Sequence, residues 1–171
     1  MRKIKVKKET TVNLQLCSQE ALDSFGYLSA LRVDGHLDLW SCKGITKLPK
    51  DLKVGRHLIL WSCRGLTELP VRLKVDGVLN LFLCIGLTKL PEDLKVGGNL
   101  HLYGCTGLTK LPDGFKVNGD LDLCYCPGIT ELPEDLQVKG DIYYNSDTGF
   151  CGHEHEPGVI PKHLKRKLRK Y

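Results

Sequence analysis

The chain has 171 residues, 42% of them hydrophobic, and a formal net charge of +5. This length suits a single domain with its own core. No run approaches the roughly 18–20 apolar residues of a membrane-spanning helix, so we expect no transmembrane segment. The basic N-terminus leads into polar residues, which argues against a Sec-type signal peptide.

Basic residues concentrate at the two ends of the chain. Residues 1–10 contain five Lys or Arg, and residues 161–171 contain six and no acid. The middle of the chain is therefore net acidic.

Residues 1–30 are predicted to form an N-terminal basic segment followed by a capping strand and helix. Residues 12–16 alternate apolar and polar side chains, as a strand with one buried face does. Ser18 is a good first residue for a helix, and apolar residues then recur at helical spacing. We therefore expect a capping helix from Ser18 to about Ala30.

A 21-residue repeat occupies residues 31–147. Leu-Pro, Cys, Gly and Thr each recur five times at this step, which predicts stacked, equivalent turns of chain. Five full repeats begin near residues 31, 52, 73, 94 and 115, and a sixth strand is expected at 142–144.

The residues of one repeat indicate how each turn folds. Leu58 and Leu60 are two residues apart, so both point to the same face of a short strand. Gly65 allows a tight turn, and Pro70 favours an extended return. A single turn buries too little apolar surface to fold alone, so the turns must share one core.

Residues 148–171 are predicted to form a loop and a basic capping helix. The last Leu-Pro-like step comes 28 residues after Leu132, which indicates a seven-residue insertion. Pro161 suits the first turn of a helix, and Leu164 and Leu168 are four residues apart. The basic residues of 162–170 could alternatively contact anionic lipid or RNA.

The pattern Leu-x-Leu-x-x-Cys-x-Gly-Leu-Thr-x-Leu-Pro resembles the leucine-rich repeat consensus, with Cys where Asn is usual. The short period and the Leu-Pro return are similar to the bacterial class found in effector proteins that intracellular pathogens deliver into host cells. The resemblance covers about residues 12–165. It implies an α/β fold: a leucine-rich repeat solenoid, or horseshoe, with a concave parallel β-sheet, an extended, polyproline or short 3-10 convex side, and helical caps.

The resemblance also implies a function and a location. Several members carry an E3 ligase domain after their repeats, and this sequence is too short to hold one. What remains is a recognition module, cytoplasmic in the producing cell and delivered to the host cytosol by a specialised secretion system.

A binding face is predicted where side chains alternate with the core leucines and point away from the core. They form columns, one residue from each turn. The predicted partner-binding residues are Trp40, Trp61, Phe82, Tyr103, His36, His57, Asp38, Ile59, Asn80, His101, Asp120, Asp122, Tyr125, Asp141 and Tyr143.

Four aromatic residues share one of these columns: Trp40, Trp61, Phe82 and Tyr103. Core packing does not require them there, and aromatic residues are enriched at interface hot spots. The alternative is a purely structural ladder of stacked rings. No Lys or Arg falls in the columns, which argues against nucleic acid on the concave face. We expect a protein partner with an apolar patch flanked by basic residues.

Three cysteine or histidine patterns could carry chemistry. The repeated cysteines are interpreted as buried structural thiols rather than as metal ligands or disulfides. Cys124, His101 and Asp122 form the nearest approach to a thiol catalytic set, but on an open sheet. Possible metal ligands are Cys151, His153 and His155 in the insertion, and the pair His36 and His57. We expect no cofactor, no bound metal and no enzymatic activity.

The sequence therefore predicts a non-catalytic protein–protein interaction module, monomeric alone, that inhibits or redirects a host or bacterial partner enzyme. One alternative is a carbohydrate-binding module that uses the aromatic column. Another is an adaptor that uses the basic ends on an anionic membrane or RNA.

Overall fold

The computed structural model describes residues 4–6, 12–13, 31–144 and 168–170, which form a parallel β-solenoid. Each 21-residue turn contributes one short strand to each of two parallel sheets. The 21-residue repeat and its Leu-rich strands are thus confirmed as the basis of a stacked solenoid.

Sheet 1 has seven strands in chain order, all parallel. They are β1 (Ile4–Val6), β3 (Leu31–Val33), β5 (Lys53–Val54), β7 (Lys74–Val75), β9 (Lys95–Val96), β11 (Lys116–Val117) and β13 (Gln137–Val138).

Sheet 2 has eight parallel strands and contains the predicted Leu-x-Leu segments. Its order is β2 (Val12–Asn13), β4 (Leu37–Asp38), β6 (Leu58–Ile59), β8 (Leu79–Asn80), β10 (Leu100–His101), β12 (Leu121–Asp122), β14 (Ile142–Tyr144) and β15 (Leu168–Lys170).

Strand register places equivalent residues of successive turns side by side. Leu58 is paired with Leu37 on one side and Leu79 on the other. The leucines at both ends of each Leu-x-Leu segment are buried, whereas the residue between them is half-buried. In sheet 1 the valines face the same core, and the residues before them are exposed from β5 to β13. One continuous core of Leu, Val, Ile and Cys therefore runs along the stack.

A sharp turn follows sheet 2 in each coil. Its first residue has a positive φ in five successive turns, at Ser41, Ser62, Leu83, Gly104 and Tyr125. This left-handed conformation is unfavourable for residues other than Gly. The turn directs the next residue, a cysteine, into the core.

The structure differs from the expected fold in three respects. A second sheet, sheet 1, was not predicted, and no helix is present in residues 31–144, where the return segments are extended or irregular. Residues 168–170 form a strand beside β14, with Leu168 opposite Ile142, so the predicted basic capping helix is wrong there. Pairing with β14 supplies the backbone hydrogen bonds that a helix would otherwise have formed internally. The predicted N-terminal helix lies outside the described residues, as does most of the C-terminal segment.

The predicted sixth strand is confirmed as β14. Within the residues that the structure describes, no helix has the length and apolar character needed to cross a membrane.

Candidate functional site

An aromatic ladder stands on the outer face of sheet 2. It consists of Trp40, Trp61, Phe82, Tyr103 and Tyr125, and each ring contacts the next. Ring centroids are 5.7, 5.5, 4.3 and 4.9 Å apart in that order. These separations are typical of favourable ring–ring contacts. The rings therefore form a surface and also stabilise one another.

The ladder is most exposed at its two ends. Trp40 is 56% exposed, Trp61 41% and Tyr125 45%, whereas Phe82 and Tyr103 are half-buried between them. The prediction that the rings leave the core is confirmed. Whether a partner covers them stays a prediction.

Tyr125 completes the ladder in an unexpected way. The equivalent position of its turn is Cys124, which is fully buried. The neighbouring Tyr125 supplies the ring instead, reaching Tyr103 from the left-handed residue of the turn. The sequence placed Tyr125 among the partner-binding residues but in a separate column.

The rings present mainly their edges to solvent in the middle of the ladder. Phe82 and Tyr103 are stacked with their planes 2° apart, so each covers one face of the other. Trp61 meets Phe82 edge to face at 78°. Ring faces carry negative and ring edges positive partial charge, so an incoming group meets apolar, slightly positive edges.

Beside the ladder, a polar column holds successive turns together. The backbone N–H of Val78 donates to His57 Nδ1, and that of Asp141 to Asp120 Oδ1, both at 2.9 Å. Asn99 accepts from the Asp120 N–H in the same way. A Cβ at Gly140 would lie only 2.1 Å from the Asp120 carboxylate, so the glycine before each donor residue makes this bond possible. His57 and Asp120 therefore have structural partners already.

A second polar column fixes the backbone beneath the ladder. Asp38, Asn80 and Asp122 each accept the backbone N–H of the residue two positions later, at 3.0 Å. For Asp38 and Asn80, that residue carries a ladder ring. These side chains fix the backbone from which the rings project.

The remaining predicted site residues lie on the same face. His36, Ile59, His101, Asp141 and Tyr143 are all half-buried. The rings of His36 and His57 are 4.6 Å apart. Burial, together with His36 and Arg56, lowers the pKa of His57.

Arg169 is a basic residue on this face that the sequence analysis missed. It lies opposite Tyr143 in the strand register, and its guanidinium is 3.0 Å from the Asp141 carboxylate. The expectation that no Lys or Arg enters these columns is therefore wrong at the C-terminal edge, although it holds for residues 31–144. Its 21-residue phase is lost across the insertion, so the repeat pattern does not reveal its position.

The repeated cysteines of the described residues are buried thiols that form no disulfide. Each Sγ from Cys63 onward in the column donates to the carbonyl oxygen 24 residues earlier, as Cys84 does to Leu60 at 3.0 Å. Burial raises the pKa of Cys84 to about 12. The prediction that these thiols are buried in the core is confirmed.

The candidate catalytic set has the wrong electrostatics for a thiolate nucleophile. Burial, and then the hydrogen bond and charge of Asp122, raise the pKa of the Cys124 thiol. His101 Nδ1 lies 4.0 Å from the Asp122 carboxylate, so the imidazole is placed beside Asp122 rather than on the Cys124 thiol. Although burial alone would raise the pKa of Asp122, hydrogen bonds from His101 and from Cys124 lower it overall.

No group of three or more potential metal ligands occurs among the described residues. Cys151, His153 and His155 lie outside them. His57 Nδ1 accepts a backbone hydrogen bond, so in the neutral ring Nε2 carries the proton. A metal on the His36–His57 pair would have to displace that arrangement.

These features define a class: a repeat protein folded as a parallel β-solenoid with 21-residue turns and an exposed aromatic ladder. Comparisons with family models, with curated proteins and with solved structures found no match.

Proposed function

We propose that the protein is a non-catalytic module that binds a partner protein on the aromatic ladder. The observation that carries this proposal is the exposure of Trp40, Trp61 and Tyr125 on a continuous row of rings. Leaving such a row in water is unfavourable, and aromatic residues are enriched at interface hot spots. By covering a functional surface of its partner, the module would inhibit or redirect that partner.

The chemistry of the ladder favours an apolar patch on that partner. Ring edges pack well against aliphatic side chains, and basic groups around the patch would meet Asp38 and Asp122. Arg169 already neutralises Asp141, so the acidic contribution comes from Asp38 and Asp122, in the first and fifth repeats.

In the middle of the ladder, ring orientation also argues against the carbohydrate alternative. Sugars stack on open ring faces, whereas Phe82 and Tyr103 cover one another at 4.3 Å. A glycan array tests this alternative directly, and sugar binding that is lost in a Trp61→Ala variant would favour it.

The test of protein binding compares two double variants. Trp40→Ala with Trp61→Ala removes two rings, and Val71→Ala with Ile85→Ala removes exposed apolar side chains away from the ladder. Partners are captured from lysates of producing and host cells, identified by mass spectrometry, and titrated as purified proteins. Hot-spot truncation costs at least about 2 kcal/mol, so we expect a loss of affinity of about 30-fold or more in the tryptophan variant only. Equal affinity for both variants would contradict the proposal.

We further propose that the protein is a leucine-rich repeat effector of the bacterial type. The 21-residue period with its Leu-Pro return supports this class. A translocation reporter fused to the chain tests delivery into host cells. The alternative of an adaptor on anionic membranes or RNA predicts instead salt-sensitive binding that disappears when residues 162–171 are deleted.

A further inference from the structure

A row of basic residues covers the outer face of sheet 1, away from the aromatic ladder. Five successive turns contribute one residue each, and strand register places these residues side by side. All five are exposed, whereas the valine after each of them is buried. The basic row consists of Arg32, Lys53, Lys74, Lys95 and Lys116.

Folding leaves most of this charge unneutralised. Adjacent strands are about 4.8 Å apart, and like charges directly opposite one another destabilise a sheet. Arg32 is paired with Asp34 and Lys74 with Asp76, both at 2.7 Å. Lys53, Lys95 and Lys116 form no ion pair with any described residue.

An acidic corner runs beside the basic row, where the chain enters sheet 1. It consists of Glu92, Asp93, Asp113, Glu134 and Asp135, all exposed.

Backbone contacts fix this corner in place. Asp93 accepts the N–H of Arg72, and Asp135 that of Gly114, at 2.9 and 2.8 Å. A groove of about 440 Å³ lies between the corner and the basic row and is lined by charged residues of both.

We propose that this groove binds an α-helical polypeptide segment with one row of acidic and one row of basic side chains. Polypeptides carry both signs of charge, as the groove does. Nucleic acids, sulfated glycans and anionic membranes carry one sign, and the acidic corner repels them. Single-stranded nucleic acid also uses aromatic stacking platforms, and the groove's aromatic residue, Phe115, is buried.

Helix geometry matches the spacing of the row. Side chains at i and i+4 on a helix are about 5–6 Å apart, close to the 4.7–4.9 Å between strands. A helix lying along the stack would therefore place about one carboxylate per turn beside one lysine. Its basic row would face Glu92 and Asp93.

The experiment uses the full chain and a synthetic 20-residue helical peptide with a row of Glu and an adjacent row of Lys. Binding is followed by fluorescence anisotropy at low salt. Poly-glutamate, oligo-dT, heparin and phosphatidylserine vesicles are tested in parallel. We expect the peptide to bind more tightly than any of these.

Charge reversal locates the site. K53E/K95E/K116E should weaken peptide binding about tenfold or more, since three ion pairs are reversed. K43E/R64E/K89E changes the net charge equally elsewhere on the surface and should leave binding within about twofold. W40A/W61A should also bind the peptide normally, which separates this surface from the aromatic ladder.

Three results would overturn the inference: absence of peptide binding, equal losses in both charge-reversal variants, or tighter binding of any single-sign polyanion or vesicle. If circular dichroism shows that K53E/K95E/K116E is unfolded, the milder K95Q/K116Q replaces it. A loss of about threefold is then expected, and an unchanged affinity counts against the proposal.

Discussion

Replacing Cys84 with alanine should change how the stability of the protein depends on pH. Cys84 is fully buried, and its thiol donates to the Leu60 carbonyl at 3.0 Å. Burial, followed by the neighbouring Cys63, raises its pKa from 9.0 to about 12. A thiol whose pKa is higher in the folded state stabilises that state below pH 9 and loses the contribution as pH rises toward 12.

The magnitude follows from the two pKa values. Between pH 8 and pH 10 the unfolded thiol ionises while the folded thiol stays protonated, which favours unfolding by on the order of 1 kcal/mol. The Cys84→Ala variant lacks this pH-dependent contribution to stability. At pH 8 the variant should be less stable than the wild type by about 1–2 kcal/mol, because a buried sulfur and a weak hydrogen bond are lost. At pH 10 that difference should be smaller by on the order of 1 kcal/mol.

The assay is urea unfolding under reducing conditions at pH 8 and pH 10, followed by circular dichroism. Val75→Ala is the matched control, since Val75 is also buried and does not titrate. Its stability deficit should be the same at both pH values. A Cys84→Ala deficit that does not shrink between pH 8 and pH 10 would refute the reasoning about the buried thiol.

Three further substitutions test the contacts between turns by urea unfolding at pH 7. Asn99→Ala leaves the Asp120 N–H without its 2.9 Å acceptor and should cost about 1–2 kcal/mol; an unchanged midpoint would show that water replaces the bond. Gly97→Ala would place a Cβ 2.2 Å from the Asp76 carbonyl oxygen and should cost at least about 2 kcal/mol. A loss as small as that of a tolerated surface substitution would contradict this expectation. Ser62→Gly should add about 0.5–1 kcal/mol because Ser62 has a φ of 61°, and a loss of stability would argue against strain there.

The periodic features of the fold could be predicted from the sequence. The Leu-x-Leu step fixes which residues of sheet 2 face the core, and the buried cysteines and the exposed tryptophans follow from the same phase. Sheet 1 could not be predicted, since five of its seven strands are only two residues long, as at Lys53–Val54. An alternation of exposed and buried residues cannot be recognised over a strand of only two residues. These strands exist because stacking pairs their backbones.

The chemistry of individual site residues was less accessible to prediction. Asp38 and Asp120 read as free surface carboxylates, yet each accepts a backbone N–H. The role of Asp120 depends on the distance between turns and that of Asp38 on the local path of the chain, and a pattern of residue types contains neither. The basic row had a detectable signal, because Lys53, Lys74, Lys95 and Lys116 keep the 21-residue step. It lies outside the columns around the Leu-x-Leu segment, on which the predicted binding face is based.

Both candidate surfaces have the same spacing between residues, because both are set by the stacking of the turns. The aromatic ladder extends from Trp40 to Tyr125 and the basic row from Arg32 to Lys116, so they span the same five turns on different sheets. Because each turn contributes one residue to each row, a partner of either surface meets equivalent groups about every 4.8 Å. The buried core separates the two rows, so substitutions in them should have independent effects on binding. Two partners could therefore occupy the solenoid together, one held by apolar ring edges and one by paired charges.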